Sequence, residues 1–219
     1  MVTGMSTVEL RRLLVEHRLI GILRGDDHEA ALRSIQTVAR AGISLIEVSL
    51  TGRDALALIA RARRELGDEV LVGAGTVLTA DEAEGAVAAG AAFALTPALG
   101  PGVDACVALG LPVVAGAYTP SEVVGAGLAG AAAVKLFPAS QGGVDYLRAL
   151  RAPFPHVDFV PVGGVAAEHT TEYLAAGAVA VGVGGPLFGD ALRGGDQVAL
   201  AQRARAFRRA AGFDEAVNG

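Results

Sequence analysis

Ala129-Gly130-Ala131-Ala132-Ala133-Val134-Lys135-Leu136-Phe137 contains the unit from which the whole chain is built. An Ala-rich amphipathic stretch runs into a small-residue stop at Ala129-Gly130-Ala131, and a short apolar run follows. Gly just past a helix enters the left-handed region without a Cβ clash, so the stop reads as a helix C-terminus. The apolar run reads as a strand. The same stop recurs at Ala41-Gly42-Ile43, Ala89-Gly90-Ala91, Leu109-Gly110-Leu111 and Ala176-Gly177-Ala178. Together they define a loose repeat of about 20–25 residues.

Eight apolar runs follow this pattern: Leu19–Leu23, Leu45–Leu50, Val70–Gly75, Phe93–Thr96, Pro112–Gly116, Ala133–Phe137, Asp158–Gly163 and Ala178–Gly182. Strands that alternate with helices imply a parallel sheet with helical crossovers, either a closed barrel or an open doubly wound sheet. Eight units in 219 residues favour the α/β class and a (β/α)8 TIM barrel. No GxGxxG follows the first strand, which argues against a dinucleotide-binding sheet. Residues 6–17 read as an extra N-terminal helix, a last helix falls near 196–211, and the tail after Gly212 reads as loose. No Pro/Ser-rich linker or like-charge block divides the chain, so residues 1–219 read as one domain.

Composition narrows the function. Hydrophobic residues make up 52%, above the usual range of about 45–50%, which suits buried strands covered by helices. The net charge is −5 with no basic cluster among aromatics, so nucleic acid is not an expected partner. The single cysteine, Cys106, forms no intrachain disulfide and fits a reducing, cytoplasmic setting. It lies in an expected helix and reads as buried rather than catalytic. Met1 to Leu10 has neither a basic n-region nor an apolar h-region, so no signal peptide is expected, with Met1 or Met5 as the start. Tyr173 to Gly189 is uncharged but dense in Gly and contains Pro186. It reads as a buried strand with flanking turns, not a membrane span. His17, His28, His156 and His169 form no ligand-spaced cluster, so no metal or other cofactor is expected.

Of the 18 basic residues, only Lys135 is lysine. Arg forms no Schiff base and stays protonated, whereas a neutral Lys amine attacks ketones. Alternation puts Val134 and Leu136 on one face, and Lys135 and Phe137 on the other. The apolar pair faces the helices. Lys135 then points into the barrel near the C-terminal end of strand 6, the end where this fold keeps its active sites. Burial in an apolar wall disfavours an ammonium charge and enlarges the neutral, nucleophilic fraction. The plainer reading, a strand-end lysine that snorkels to solvent, is weakened by the inward parity.

Strand 2 carries Ile46, Val48 and Leu50 on its apolar face, so Leu45, Glu47 and Ser49 point inward. A carboxylate inside a barrel is costly unless paired or protonated. Its raised pKa would suit proton transfer, and a structural pairing with Arg24 or another inward cation is compatible with that role. Arg24, in Ile22-Leu23-Arg24-Gly25, is a candidate for a substrate carboxylate or phosphate through its donor fork, or else a rim salt bridge. Strand 3 ends in Gly73-Ala74-Gly75-Thr76. Gly163-Gly164 and Gly184-Gly185 close strands 7 and 8, where backbone N–H groups can approach a phosphate.

At these residues the chain resembles the bacterial 2-keto-3-deoxy-6-phosphogluconate (KDPG) and 4-hydroxy-2-oxoglutarate aldolase family, including its phosphogalactonate branch. The likeness runs from about Leu19 to Gly189. Its pieces are Glu47-Val48-Ser49-Leu50, Val72-Gly73-Ala74-Gly75-Thr76-Val77-Leu78, Thr96-Pro97, Val134-Lys135-Leu136-Phe137-Pro138-Ala139 and Val162-Gly163-Gly164-Val165. The resemblance implies a metal-free class I aldolase of carbohydrate metabolism, of the Entner–Doudoroff kind, that acts as a homotrimer on a small 2-keto acid. It implies Lys135 as the Schiff-base residue and Glu47 as the general acid/base. It further implies Thr76, Pro97 and Phe137 at the pyruvate end, and Gly163, Gly164, Gly184 and Gly185 at the phosphate. Two positions depart from the pattern. Thr51 stands where the gluconate branch has Arg, with Arg53 two residues on, and Arg24 looks more like the galactonate branch. Pro186 stands where the family often has a phosphate-binding Ser.

The expected reaction is retro-aldol cleavage to pyruvate and an aldehyde, glyceraldehyde 3-phosphate if the substrate is phosphorylated. A phosphate-binding isomerase or synthase with Lys135 as a fixed charge, and a non-catalytic sugar-acid binding barrel, are the competing readings.

Overall fold

The structure, a computed structural model, describes residues 4–213. The expectations for the start at Met1 and for the tail beyond Phe213 lie outside these residues. Helix α1 (Thr7–His17) precedes β1 (Leu19–Leu23), and the chain then alternates through α2 (His28–Arg40), β2 (Leu45–Ser49), α3 (Ala55–Leu66), β3 (Leu71–Gly75) and α4 (Ala80–Ala88). It continues through β4 (Ala94–Leu95), α5 (Pro101–Ala108), β5 (Val113–Ala117), α6 (Pro120–Leu128), β6 (Ala133–Leu136) and α7 (Ala139–Arg151). The last units are β7 (Phe159–Pro161), α8 (Ala167–Ala175), β8 (Val181–Val183), a one-turn helix α9 (Gly185–Phe188) and α10 (Gln197–Ala210).

All strand pairs are parallel, in the order β7-β6-β5-β4-β3-β2-β1-β8. The two ends meet where Val179 N–H donates to Phe159 C=O at 3.0 Å and where Val162 bridges Gly182. The architecture is a (β/α)8 barrel with an added N-terminal helix.

The stops behave as their composition dictates. Gly42, Gly90, Gly110, Gly130 and Gly177 all have positive φ, between 70° and 94°. Each is followed by a residue whose N–H reaches back five positions to the helix: Ile43 to Val38, Ala91 to Ala86, Leu111 to Cys106, Ala131 to Ala126 and Ala178 to Tyr173. These are Schellman locks, which satisfy carbonyls that the helix end leaves open. They turn each helix directly into the next strand.

Strand ends differ from expectation where pairing sets them. Leu50 and Phe137 fall just beyond β2 and β6. The last strand is Val181–Val183 instead of Ala178–Gly182, because its partner β1 starts at Leu19, opposite Val181. Tyr173 belongs to α8, and Gly185–Phe188 coils into α9 instead of forming an open turn.

The apolar side chains divide by parity into two clusters. Ile46, Val48, Val134 and Leu136 join the larger cluster between sheet and helices. Ile20, Leu45, Phe93, Leu95, Val114 and Val160 form the barrel interior, together with Leu10, Leu13 and Leu14 of α1. Helix α1 therefore closes the N-terminal end of the barrel. Ser6 caps it by accepting the Glu9 N–H at 3.1 Å.

Candidate active site

Above this apolar layer, at the C-terminal ends of the strands, lies a cavity of about 780 Å³. All ten side chains and glycines singled out from the sequence line it: Arg24, Glu47, Thr76, Pro97, Lys135, Phe137, Gly163, Gly164, Gly184 and Gly185. Lys135 is 5% exposed and Glu47 1%. Both face the interior because their strand neighbours, Val134 with Leu136 and Ile46 with Val48, are taken by the outer cluster. In register, Lys135 sits between Gly116 of β5 and Val160 of β7, and Glu47 between Ile22 of β1 and Gly73 of β3.

Glycines make the room. A Cβ at Gly75 would fall inside the Glu47 carboxylate, and one at Gly116 inside the Pro97 backbone. A Cβ at Gly73 would meet the Phe93 ring at 2.5 Å. Gly73 and Gly75 are thus inward strand positions, not turn residues as strand-end glycines usually are. The Pro97 loop is pinned by Thr96, whose Oγ1 donates to Ala98 C=O at 2.8 Å and accepts from Gly116 N–H at 3.1 Å.

Burial pushes the Glu47 carboxyl above the usual carboxylate range, and the charges of Lys135 and Arg24 only partly oppose it. Glu47 Oε2 is buried with no hydrogen-bond partner. Among the described residues Glu47 makes no ion pair within 4.0 Å, so the structural pairing with Arg24 is not formed. Arg24 likewise makes no rim salt bridge there, and it is exposed. The Lys135 Nζ lies 5.2 Å from the centroid of the Phe137 ring. Thr76 has φ 61°, a conformation uncommon for a β-branched residue. Its Oγ1 is 3.0 Å from Ser49 Oγ, which is 2.9 Å from Thr51 Oγ1.

Neither Thr51 nor Arg53 lines the cavity. Arg53 is held by its backbone, its N–H donating to Asp26 Oδ1 at 2.8 Å and its carbonyl 3.0 Å from His28 Nε2. Asp27 caps α2 by accepting the Ala30 N–H at 2.9 Å. At the far side, Gly163 and Gly164 have φ 98° and 76°, while Gly184 and Gly185 lead into α9 with Pro186 on the cavity wall. Sequence reasoning missed Arg193, which also lines the cavity and is exposed. Nothing in its local sequence marks it among the many arginines. The Cys106 thiol is buried in α5, and burial pushes its pKa up to about 11. Among the described residues no group of three or more His, Cys, Asp or Glu side chains is arranged to hold a metal ion, and no helix is long and apolar enough to cross a membrane.

A parallel barrel with one buried amine and one buried carboxylate at the C-terminal ends of its strands defines a class, the lysine-bearing (β/α)8 enzymes. Comparison with known proteins narrows it. Residues 10–202 match the family model described as KDPG and KHG aldolase. The chain is 38% identical over 160 residues to the 2-dehydro-3-deoxy-phosphogluconate aldolase of Treponema pallidum, covering 72% of this chain and 76% of that one. It is 35% identical over 202 residues to the 2-dehydro-3-deoxy-6-phosphogalactonate aldolase of Escherichia coli, covering 91% and 96%. The solved structure of KDPG aldolase from Legionella pneumophila, with pyruvate captured as a covalent carbinolamine, superposes with a TM-score of 0.84 at 27% identity, covering 90% and 97%. The chain belongs to the KDPG and KHG aldolase family, and it is a class I aldolase, a carbon–carbon lyase.

Proposed function

We propose that this aldolase reversibly cleaves 2-keto-3-deoxy-6-phosphogluconate, or its galactonate epimer, to pyruvate and glyceraldehyde 3-phosphate, with Lys135 as the Schiff-base residue and Glu47 as the general acid and base. One observation carries the reading: a buried amine and a buried carboxylate of raised pKa face the same cavity. Neutral Lys135 attacks the C2 ketone, water leaves, and an iminium forms. Glu47, directly or through a water, accepts the C4 hydroxyl proton. The C3–C4 bond breaks, its electron pair moves into the iminium, and the aldehyde departs. The enamine is protonated at C3 and hydrolysed, releasing pyruvate and Lys135. A carboxyl with a raised pKa holds a proton more firmly than an ordinary glutamate and is a stronger base once it has lost it.

Arg24 supplies charge for the substrate carboxylate, while Thr76, Pro97 and Phe137 shape the pyruvyl end. Gly163, Gly164, Gly184 and Gly185 offer backbone donors to the phosphate. Pro186 adds no hydroxyl or N–H there, which favours tolerance of unphosphorylated 2-keto-3-deoxy acids and of 4-hydroxy-2-oxoglutarate. The protein works as a single-domain homotrimer in the cytoplasm. Apolar side chains exposed on the outer helices, such as Val107, Val124 and Leu128, support an assembly, and light scattering tests its stoichiometry.

The deciding experiment is borohydride reduction with pyruvate, followed by mass mapping. A pyruvyl adduct on Lys135, absent in Lys135→Ala, is expected. An unlabelled Lys135 together with an active Lys135→Ala enzyme would overturn the assignment.

A further inference from the structure

Two hydroxyls stand behind Thr76 with no role in the reaction as written. Ser49 ends β2 on the same inward face as Glu47 and is 1% exposed. Its Oγ lies between Thr51 Oγ1 at 2.9 Å and Thr76 Oγ1 at 3.0 Å. Of the three, only Thr76 lines the cavity, and Thr51 is exposed outside it. The hydroxyls therefore run in a line from the rim, through a buried serine, to the cavity wall. The backbone of Thr76 is held in the left-handed region at the inner end of that line.

Proton counting fixes what the line can do. Each hydroxyl has one proton to give and two lone pairs to accept with. Ser49 has two hydroxyl neighbours and one proton; accepting from both would leave that buried proton without an acceptor, so the satisfied arrangements have it donate to one and accept from the other. In one order Thr51 donates to Ser49, Ser49 to Thr76, and the Thr76 proton points into the cavity. In the reverse order Thr76 spends its proton on Ser49 and offers only lone pairs. An incoming carboxylate has lone pairs and no proton, so it selects the first order. Hydrogen bonds in such a chain polarise one another.

We infer that Ser49 and Thr51 are positioning residues that orient and polarise the Thr76 hydroxyl as a donor to the carboxylate of the 2-keto acid. This rests on the pyruvate imine at Lys135 proposed above. On this inference Thr51, neutral and outside the cavity, contributes to binding an anion through Ser49.

The test is the pyruvate concentration that half-saturates borohydride labelling of Lys135, measured with the melting temperature for wild type, Ser49→Ala, Thr51→Val and Thr51→Ser. Ser49→Ala should raise half-saturation about 3- to 10-fold and Thr51→Val about 2- to 5-fold, the range expected for loss of one neutral hydrogen bond. The effect should fall on half-saturation and not on maximal labelling. Thr51→Ser, which restores the hydroxyl, should return to within about twofold of wild type. Thr51 is exposed, so its variants report even if Ser49→Ala folds poorly. Wild-type half-saturation in Thr51→Val, or no recovery in Thr51→Ser, would overturn the relay while leaving the imine standing. An unlabelled wild-type protein would overturn the imine, and the ligand assigned to the relay with it.

Discussion

One methyl group at Gly75 tests the physical account of the site. Gly75 pairs with Ser49 on one side and Leu95 on the other, and its carbonyl accepts the Leu50 N–H at 2.8 Å. The backbone is held from both sides and cannot retreat. A Cβ there falls inside the Glu47 carboxylate, so Gly75→Ala must drive Glu47 out of place. Overpacking of this kind costs about 1–3 kcal/mol. At about 2–4 °C per kcal/mol for a chain of this size, the melting temperature should fall by about 2–12 °C. Displacing the proposed general acid/base should lower kcat by about 10²–10⁴. The decisive comparison uses Glu47→Ala, which removes the atoms that the new Cβ meets. In that background Gly75→Ala should cost less than about 0.5 kcal/mol, giving a coupling of about 0.5–3 kcal/mol in the double-mutant cycle. Thermal unfolding of the four proteins, and pyruvate release coupled to lactate dehydrogenase, supply the two readouts. If Gly75→Ala keeps activity within about fivefold of wild type, or destabilises equally with and without the Glu47 side chain, Gly75 is not glycine for the sake of that carboxylate.

Other perturbations follow from the same geometry. Burial raises the folded pKa of Glu47 above its ordinary 4.5, so the folded protein keeps a proton that the unfolded chain has lost, and stability drains away as pH rises through that interval. Glu47→Gln should therefore melt above wild type at pH 8, with a gain that shrinks toward pH 4; a pH-independent difference would count against the burial argument. Arg193→Ala should raise KM about tenfold for a phosphorylated substrate and far less for its unphosphorylated analogue, whereas Arg24→Ala should raise both alike; steady-state kinetics on the two substrates separates them. Gly110, with φ 70° and open space around its Cβ position, bears only a conformational cost, so Gly110→Ala should lower the melting temperature by about 2–8 °C without changing kcat.

What the sequence revealed, and what it hid, divides along a physical line. The parity of Lys135 and Glu47 was legible because one face of each strand must meet the helices, and only Val134, Leu136, Ile46 and Val48 can do so. The five helix stops were legible because the left-handed backbone they need is nearly confined to glycine. The roles of Gly73, Gly75 and Gly116 were not. A glycine inside a strand shows only that something else occupies its space, and here the occupants are Phe93, Glu47 and Pro97, brought in by other strands. The start of β8 was hidden for a similar reason. It is set by where β1 begins, not by the Ala-Val composition of residues 178–182.

The same division links the N-terminal helix to the chemistry. A carboxylate at the C-terminal end of a barrel strand keeps an ordinary pKa if water reaches it from below. Here Leu10, Leu13 and Leu14 of α1 seal the lower opening, and Phe93, Leu95, Val114 and Val160 fill the layer above them. Phe93 can occupy the centre only because β3 presents Gly73 to it. Glu47 stands on that apolar floor, is 1% exposed, and has one oxygen without a partner, so burial is the largest influence on its proton affinity. Lys135 and Arg24 offset the burial without forming an ion pair with it. A close salt bridge would have held Glu47 as a carboxylate and made it a poor acid. An exposed glutamate would have been ionised at neutral pH and a weak base. The packing of α1 and the three inward glycines thus raise the proton affinity of Glu47, as its proposed role requires, in which it takes the proton of the C4 hydroxyl and returns one to C3.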